Sequence, residues 1–128
     1  MIKISLIFMG CTNDGQVLKP NGICNLQSMK KIIAFGASSS IHSINKKLAI
    51  YAASCVPNAQ VTILDLNDYE MPIYSVDRQN KDGFPQLAHD FKDLLMSADG
   101  IIISFAEHNS SYSAAFKNIF DWISRFEG

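Results

Sequence analysis

The sequence predicts an open α/β domain in which a parallel sheet is covered by helices on both faces. The first observation is three short strands: "KIIAF" (31–35), "VTILDL" (61–66) and "GIIISFA" (100–106) are β-branched or continuously apolar, as strands buried on both faces are. The second is three helical faces, marked by Ile44, Leu48, Tyr51, Ala52 and Cys55, then Leu87, Phe91, Leu94 and Leu95, then Phe116, Ile119, Phe120 and Ile123. The third is their order, βαβαβα. Parallel neighbours joined by right-handed crossovers place helices on both sides of the sheet.

Composition sets the outer limits. A chain of 128 residues, 48% apolar, has material for one core and no second domain. Its formal net charge of −1, with no basic run beyond Lys30-Lys31 and Lys46-Lys47, excludes a nucleic acid as main partner. Nowhere do about 18 apolar residues follow one another, so no spanning helix and no membrane partner are expected. The three cysteines, Cys11, Cys24 and Cys55, form no CxxC, and no His stands at ligand spacing from them. A reduced, cytoplasmic setting without a metal is the simpler reading. Cys55 lies on the apolar stripe of the first helix and is expected to be a small core residue.

The elements then follow in order. "MIKISLIFMGC" has the outline of a lipoprotein signal, but its apolar run falls short of the roughly 7–15 residues such signals carry. "TNDGQVLKPNGICNLQS" is rich in turn formers and shows no period. Residues 1–28 are therefore read as an N-terminal extension outside the core, with the domain proper at 29–128. Ser43 is placed to cap the first helix, Pro85 suits the first turn of the second, and Ser111 or Ser113 caps the third. Residues 67–84 contain "MPIY" and "KDGF" and no period. Connections of that length are usually functional or disordered.

Ligands of open α/β sheets bind beyond the carboxyl ends of the strands, where three loops converge: 37–43, 67–84 and 107–112. In "ASSSIHS", four hydroxyls and successive backbone N–H groups lead into a helix N-terminus, an arrangement that favours an anion. There is neither GxGxxG nor GxxxxGK[ST], so a dinucleotide fingerprint and a metal-assisted P-loop are both absent. Two readings remain: a phosphomonoester cradle, or a Ser-rich turn with one cap. Met71, Pro72, Ile73 and Tyr74 either flank a flat heterocycle or fold back on the core. In the third loop, Glu107, His108, Asn109, Ser110, Ser111 and Tyr112 offer amides to the edge of a planar ring. No nucleophile is placed beside His108, and nothing in the spacing pairs Glu107 with Asp65 or Asp68.

"KIIAFGASSSIHSINKKLA", "LDLNDYEMPIYSVD" and "ADGIIISFAEHNSSYSAAFKNIFDWISR" together resemble the NADPH-dependent FMN reductases, a group that includes quinone, azo-dye and chromate reductases. The resemblance covers residues 29–128. It implies a flavodoxin-like, doubly wound, three-layer αβα fold, here incomplete, with about three strands and three helices. It also implies FMN as cofactor and NAD(P)H as co-substrate. The family's phosphate loop reads roughly G-S-x-R-x-x-S-x-N; Ser43 and Asn45 match its end, and Ser38, Ser39 and Ser40 fill its middle. The Arg is missing and the loop is one residue longer, which leaves the phosphate charge to backbone amides, the helix end and Lys46 or Lys47. The ring-binding P-E-Y-N is matched by "AEHN", so Glu107, His108, Asn109 and the following Ser110 would meet the flavin, with Pro72, Ile73 and Tyr74 beside it.

By the same resemblance the chemistry belongs to the cofactor, which relays electrons from NAD(P)H to a quinone-like or other small acceptor, and no side chain is assigned a catalytic role. Asp121 and Trp122, in "FKNIFDW", are read as fold and subunit-contact residues. Family members continue with further strands and a last helix, so the resemblance implies a frame truncated at its C-terminus and a bare edge on the third strand, open to another chain. A homodimer is the expected assembly. Two other readings stay open: a non-catalytic flavin-binding electron carrier, and an inactive fragment associating with a full-length partner.

Overall fold

The computed structural model describes residues 6–10 and 29–126. Its elements are β1 (Leu6–Gly10), β2 (Lys30–Ala37), α1 (Ile44–Ser54), β3 (Ala59–Leu64), a 3-10 turn (Leu66–Tyr69), α2 (Val76–Asp82) and α3 (Gln86–Met96). β4 (Gly100–Phe105), a hairpin of β5 (Glu107–His108) and β6 (Ser111–Tyr112), and α4 (Ala114–Ile123) follow. None of the helices among the described residues is long and apolar enough to cross a membrane.

The main sheet runs β1-β4-β2-β3. β2 is parallel to both neighbours, with Ile32 opposite Val61 and Gly100, and Ala34 opposite Ile63 and Ile102. Its alternation decides the layers. Ile33, Phe35 and Ala37 face α3 and α4 with Leu64, Phe91, Phe105, Phe116, Ile119 and Trp122, whereas Ile32 and Ala34 face α1 with Ala49, Ala53 and Ile102. Helices on both faces follow the expectation from element order, and the whole is the doubly wound, three-layer flavodoxin-like arrangement that the resemblance implies.

Three features differ from expectation. β1 comes from the segment read as an extension, yet it pairs antiparallel with β4, from Leu6 opposite Ser104 to Gly10 opposite Gly100. The edge of "GIIIS" is therefore not bare: β1 supplies the backbone partners that an edge strand otherwise lacks. The rest of residues 1–28, with Cys11 and Cys24, lies outside the described residues.

The second difference is α1, which is turned about its axis. Its buried residues are Ala49 and Ala53, while Ile44 and Tyr51 are each 68% exposed. The reason is close approach. A Cβ on Gly36, near the end of β2, would lie 2.4 Å from the Lys46 backbone nitrogen, so only small side chains fit between helix and sheet. Cys55, expected in the core, is exposed; it is the C-cap, donating its N–H to the Ala52 carbonyl, while the Val56 N–H donates to the Ala53 carbonyl as the chain leaves the helix.

Third, the 67–84 connection is not irregular throughout. The Asp65 carboxylate receives the Asn67 N–H and Ser75 Oγ receives the Arg78 N–H, so the 3-10 turn and α2 each begin on a side-chain cap. Of the two serines offered as cap for the last helix, Ser113 takes the role, as one of the two was expected to, and Ser111 lies in β6.

Candidate functional site

The carboxyl ends of β2, β3 and β4 carry the loops to one side, where hydrogen bonds tie them together. Ser113 Oγ donates to the Ala37 carbonyl at 2.8 Å and accepts the Phe116 N–H at 3.3 Å, so one hydroxyl both caps α4 and joins its start to the end of β2. Ser104 Oγ, fully buried on β4, donates to Asn45 Oδ1 at 2.8 Å and joins β4 to α1.

The serine loop divides by role. Ser38 and Ser43 are buried: Ser38 Oγ accepts the Ser40 N–H at 3.2 Å, and Ser43 Oγ accepts the Lys46 N–H at 3.2 Å as the N-cap of α1. These two build the loop's shape. Ser39 and Ser40 are exposed and present their hydroxyls outward. The first-turn amides of Ile44 and Asn45 have no acceptor within the helix, which is the donor set an anion needs. Asn45 turns its side chain inward to Ser104.

Lys46, one of the cations considered for the missing Arg, is ion-paired with Asp65 at the end of β3. The Lys46 ammonium hydrogen-bonded to it, then the Asn67 backbone N–H, hold the Asp65 carboxyl below its ordinary value.

A cleft of about 320 Å³ opens between this loop, the 3-10 turn and α4. Ser39 stands in its wall; Asn67, Tyr69 and Glu70, then Met71 and Ile73, come from the second loop, and Ala114, Ala115 and Asn118 from α4. Of the predicted residues, Ser39 and Ile73 meet here. Pro72 and Tyr74 flank Ile73: the Pro72 carbonyl accepts from Asn118 and Trp122, and the Tyr74 N–H donates to Asn118. Glu107, His108, Asn109 and Ser110 form the exposed tip of the β5–β6 hairpin and are not in the cleft wall. That tip turns through Asn109 and Ser110, with φ of 52° and 63°, a left-handed pair that matches the twist of a two-residue hairpin.

Asn118 escaped the sequence reading. The available signal was its spacing: Asn118 and Trp122 are four apart in "FKNIFDW" and so share one face of a helix. Trp122 is fully buried, which removes it from any subunit contact.

Apolar groups beside exposed hydroxyls and a helix start suit a ligand with a flat ring and an anionic tail. At about 320 Å³ the cleft lies at the small end of the roughly 300–1,000 Å³ usual for such sites. The donor set thus fits FMN. The fold and this site define a flavodoxin-like α/β protein with a serine-rich loop and a cleft at the carboxyl end of its sheet.

Comparison with known proteins narrows the class. A profile of the NADPH-dependent FMN reductases matches residues 30–128, and the chain belongs to that family. It is 35% identical over 96 residues to a 2-hydroxy-1,4-benzoquinone reductase from Burkholderia sp, covering 74% of this chain and 50% of that protein. It is 36% identical over 76 residues to the quinone reductase of Escherichia coli K12, covering 59% of this chain and 38% of the other. Among solved structures it resembles the flavoenzyme NAD(P)H:(acceptor) oxidoreductase FerB from Paracoccus denitrificans, with a TM-score of 0.59 and 25% identity over 75% of this chain and 51% of FerB. The chain spans about half or less of the length of these relatives.

Proposed function

We infer that this chain carries the phosphate-binding half of an FMN-dependent oxidoreductase that passes electrons from NAD(P)H to a quinone-like acceptor. The observation that carries the reading is the cleft, which joins Ser39 of the anion loop to an apolar wall of Met71 and Ile73. Bound FMN would supply the two-electron chemistry. The protein's part is binding and orientation. Ser39, Ser40 and the Ile44 and Asn45 amides are assigned to the phosphate, with Ser38 and Ser43 shaping their loop. Pro72, Ile73 and Tyr74 are assigned to one side of the ring, and Glu107, His108, Asn109 and Ser110 to its edge.

A cytoplasmic homo-oligomer belongs to the same reading. Ile41, Ile44, Tyr51 and Phe120 stand exposed, and a second copy would cover such groups.

The test is a titration of FMN against the fluorescence of Trp122, the single tryptophan, followed by NAD(P)H oxidation with a benzoquinone as acceptor. Saturable quenching with quinone-dependent turnover is expected. Quenching without turnover converts the reading to an electron-carrier module, and no quenching at any concentration overturns it.

A further inference from the structure

Residues 71–74 belong to no helix or strand, yet four hydrogen bonds from one face of α4 hold three of their backbone groups, and the Arg78 guanidinium of α2 donates to a fourth, the Ile73 carbonyl. Asn118 Nδ2 donates to the Met71 carbonyl at 3.0 Å and the Pro72 carbonyl at 3.2 Å, and its Oδ1 accepts the Tyr74 N–H at 2.9 Å. One turn further along, Trp122 Nε1 donates to the Pro72 carbonyl at 2.8 Å. A primary amide offers donors at one end and an acceptor at the other, and Asn118 spends both on a single short loop. No other side chain of that size does so: an aspartate lacks the donors, and a leucine lacks both.

The consequence falls on Ile73. Its neighbours are pinned on both sides, so it stands 79% exposed in the cleft wall although burial would be favourable for so large an apolar group. An unpinned loop could turn Ile73 inward. Asn118 also stands in the wall itself, half-buried, between Ile73 and the start of α4.

We propose that Asn118 is a positioning residue for the ligand: it holds loop 71–74 so that Ile73 forms the cleft's apolar wall, with Trp122 backing the same loop. The role rests on the flavin reading for the ligand's identity, while the loop geometry stands by itself. Asp121, on the same motif, pairs instead with Lys117 on the outer surface of α4 and takes no part.

The experiment compares the wild-type chain with Asn118→Ala and Asn118→Asp by FMN titration, by hydrogen exchange of the Tyr74 amide, and by thermal unfolding. In Asn118→Ala, FMN affinity is expected to fall by about tenfold or more and Tyr74 exchange to accelerate by a similar factor, while the amides of β2 stay protected. Asn118→Asp should be as weak near neutral pH and recover as pH is lowered through the introduced carboxyl's titration, because the protonated acid regains a donor. Equal FMN affinity in wild type and Asn118→Ala overturns the role, as does a pH-independent Asn118→Asp. If Asn118→Ala fails to fold, Asn118→Asp, reversible in one sample, decides. A wild-type chain that binds no FMN overturns the flavin reading, and an unchanged Tyr74 amide then overturns the loop-holding role separately.

Discussion

The two faces of the sheet are built from different material. On the α3–α4 side, Phe35, Phe91, Phe105, Phe116 and Trp122 interlock, with Phe35 and Phe91 edge-on at 5.6 Å and Phe105 and Phe116 at 4.9 Å. On the α1 side the buried set is Ile32, Ala34, Ala49, Ala53 and Ile102. The aromatic face buries the larger side chains. The α1 face gives up bulk so that the helix start can lie against the end of β2, where the serine loop forms. One face is built for stability and the other for approach.

Substitutions that cross this division should behave differently. The largest effect is expected from Trp122→Ala, which empties the aromatic face and leaves the Pro72 carbonyl without its indole donor; urea unfolding should show a loss of about 3–5 kcal/mol. A loss near that of an ordinary surface change would mean the aromatic face is not the stabilising one.

Gly36→Ala tests the other face. The new methyl would meet Lys46 backbone atoms at 2.4 and 2.7 Å, so α1 must move away from β2. A loss of about 1–3 kcal/mol is expected in thermal unfolding, together with weaker FMN binding. Unchanged stability and binding would show slack at the helix start and remove the reason for its small residues.

Ser113→Ala cuts the bond between the two faces' loops. It removes the α4 cap and the donor to Ala37, and should lower stability by about 1–2 kcal/mol without changing the denaturant slope.

The smallest effect concerns the partly exposed Lys46–Asp65 pair. Because the folded carboxyl titrates below its ordinary value of 3.8, its stabilising contribution is present above that pH and is lost as pH falls through the lower, folded value. Lys46→Met should reduce this part of the acid sensitivity, with a change at neutral pH of less than about 1 kcal/mol. Unfolding midpoints of both proteins between acid and neutral pH provide the check.

Much of the site was legible because its loops are bounded by strong local patterns. Strands read as 31–35 and 100–106, within two residues of the observed ends at Ala37 and Phe105, and a cap at Ser43 follow from neighbours in the chain, which places Ser39 and Ile73 near the same end of the sheet. The buried face of α1 was not legible. Ile44, Leu48, Tyr51, Ala52 and Cys55 form a convincing stripe, yet of these only Ala52 packs against the α1-side core, and the helix buries Ala49 and Ala53, since clearance above Gly36, not hydrophobicity, selects the face. The 67–84 connection hid α2 because a seven-residue helix with no buried residue leaves no periodic trace.

By itself the sequence determined the order of the three parallel strands and of α1, α3 and α4, the carboxyl-end position of the loops and the family, all of which rest on local period and contiguous motifs. Only the tertiary structure decided which stripe of α1 is buried, that β1 closes the edge of β4, and that Asn118 grips a loop 44 to 47 residues earlier in the chain. The physical reason is range: periodicity reports what each element prefers alone, whereas clearance between backbones and the pairing of distant polar groups exist only once the layers have met.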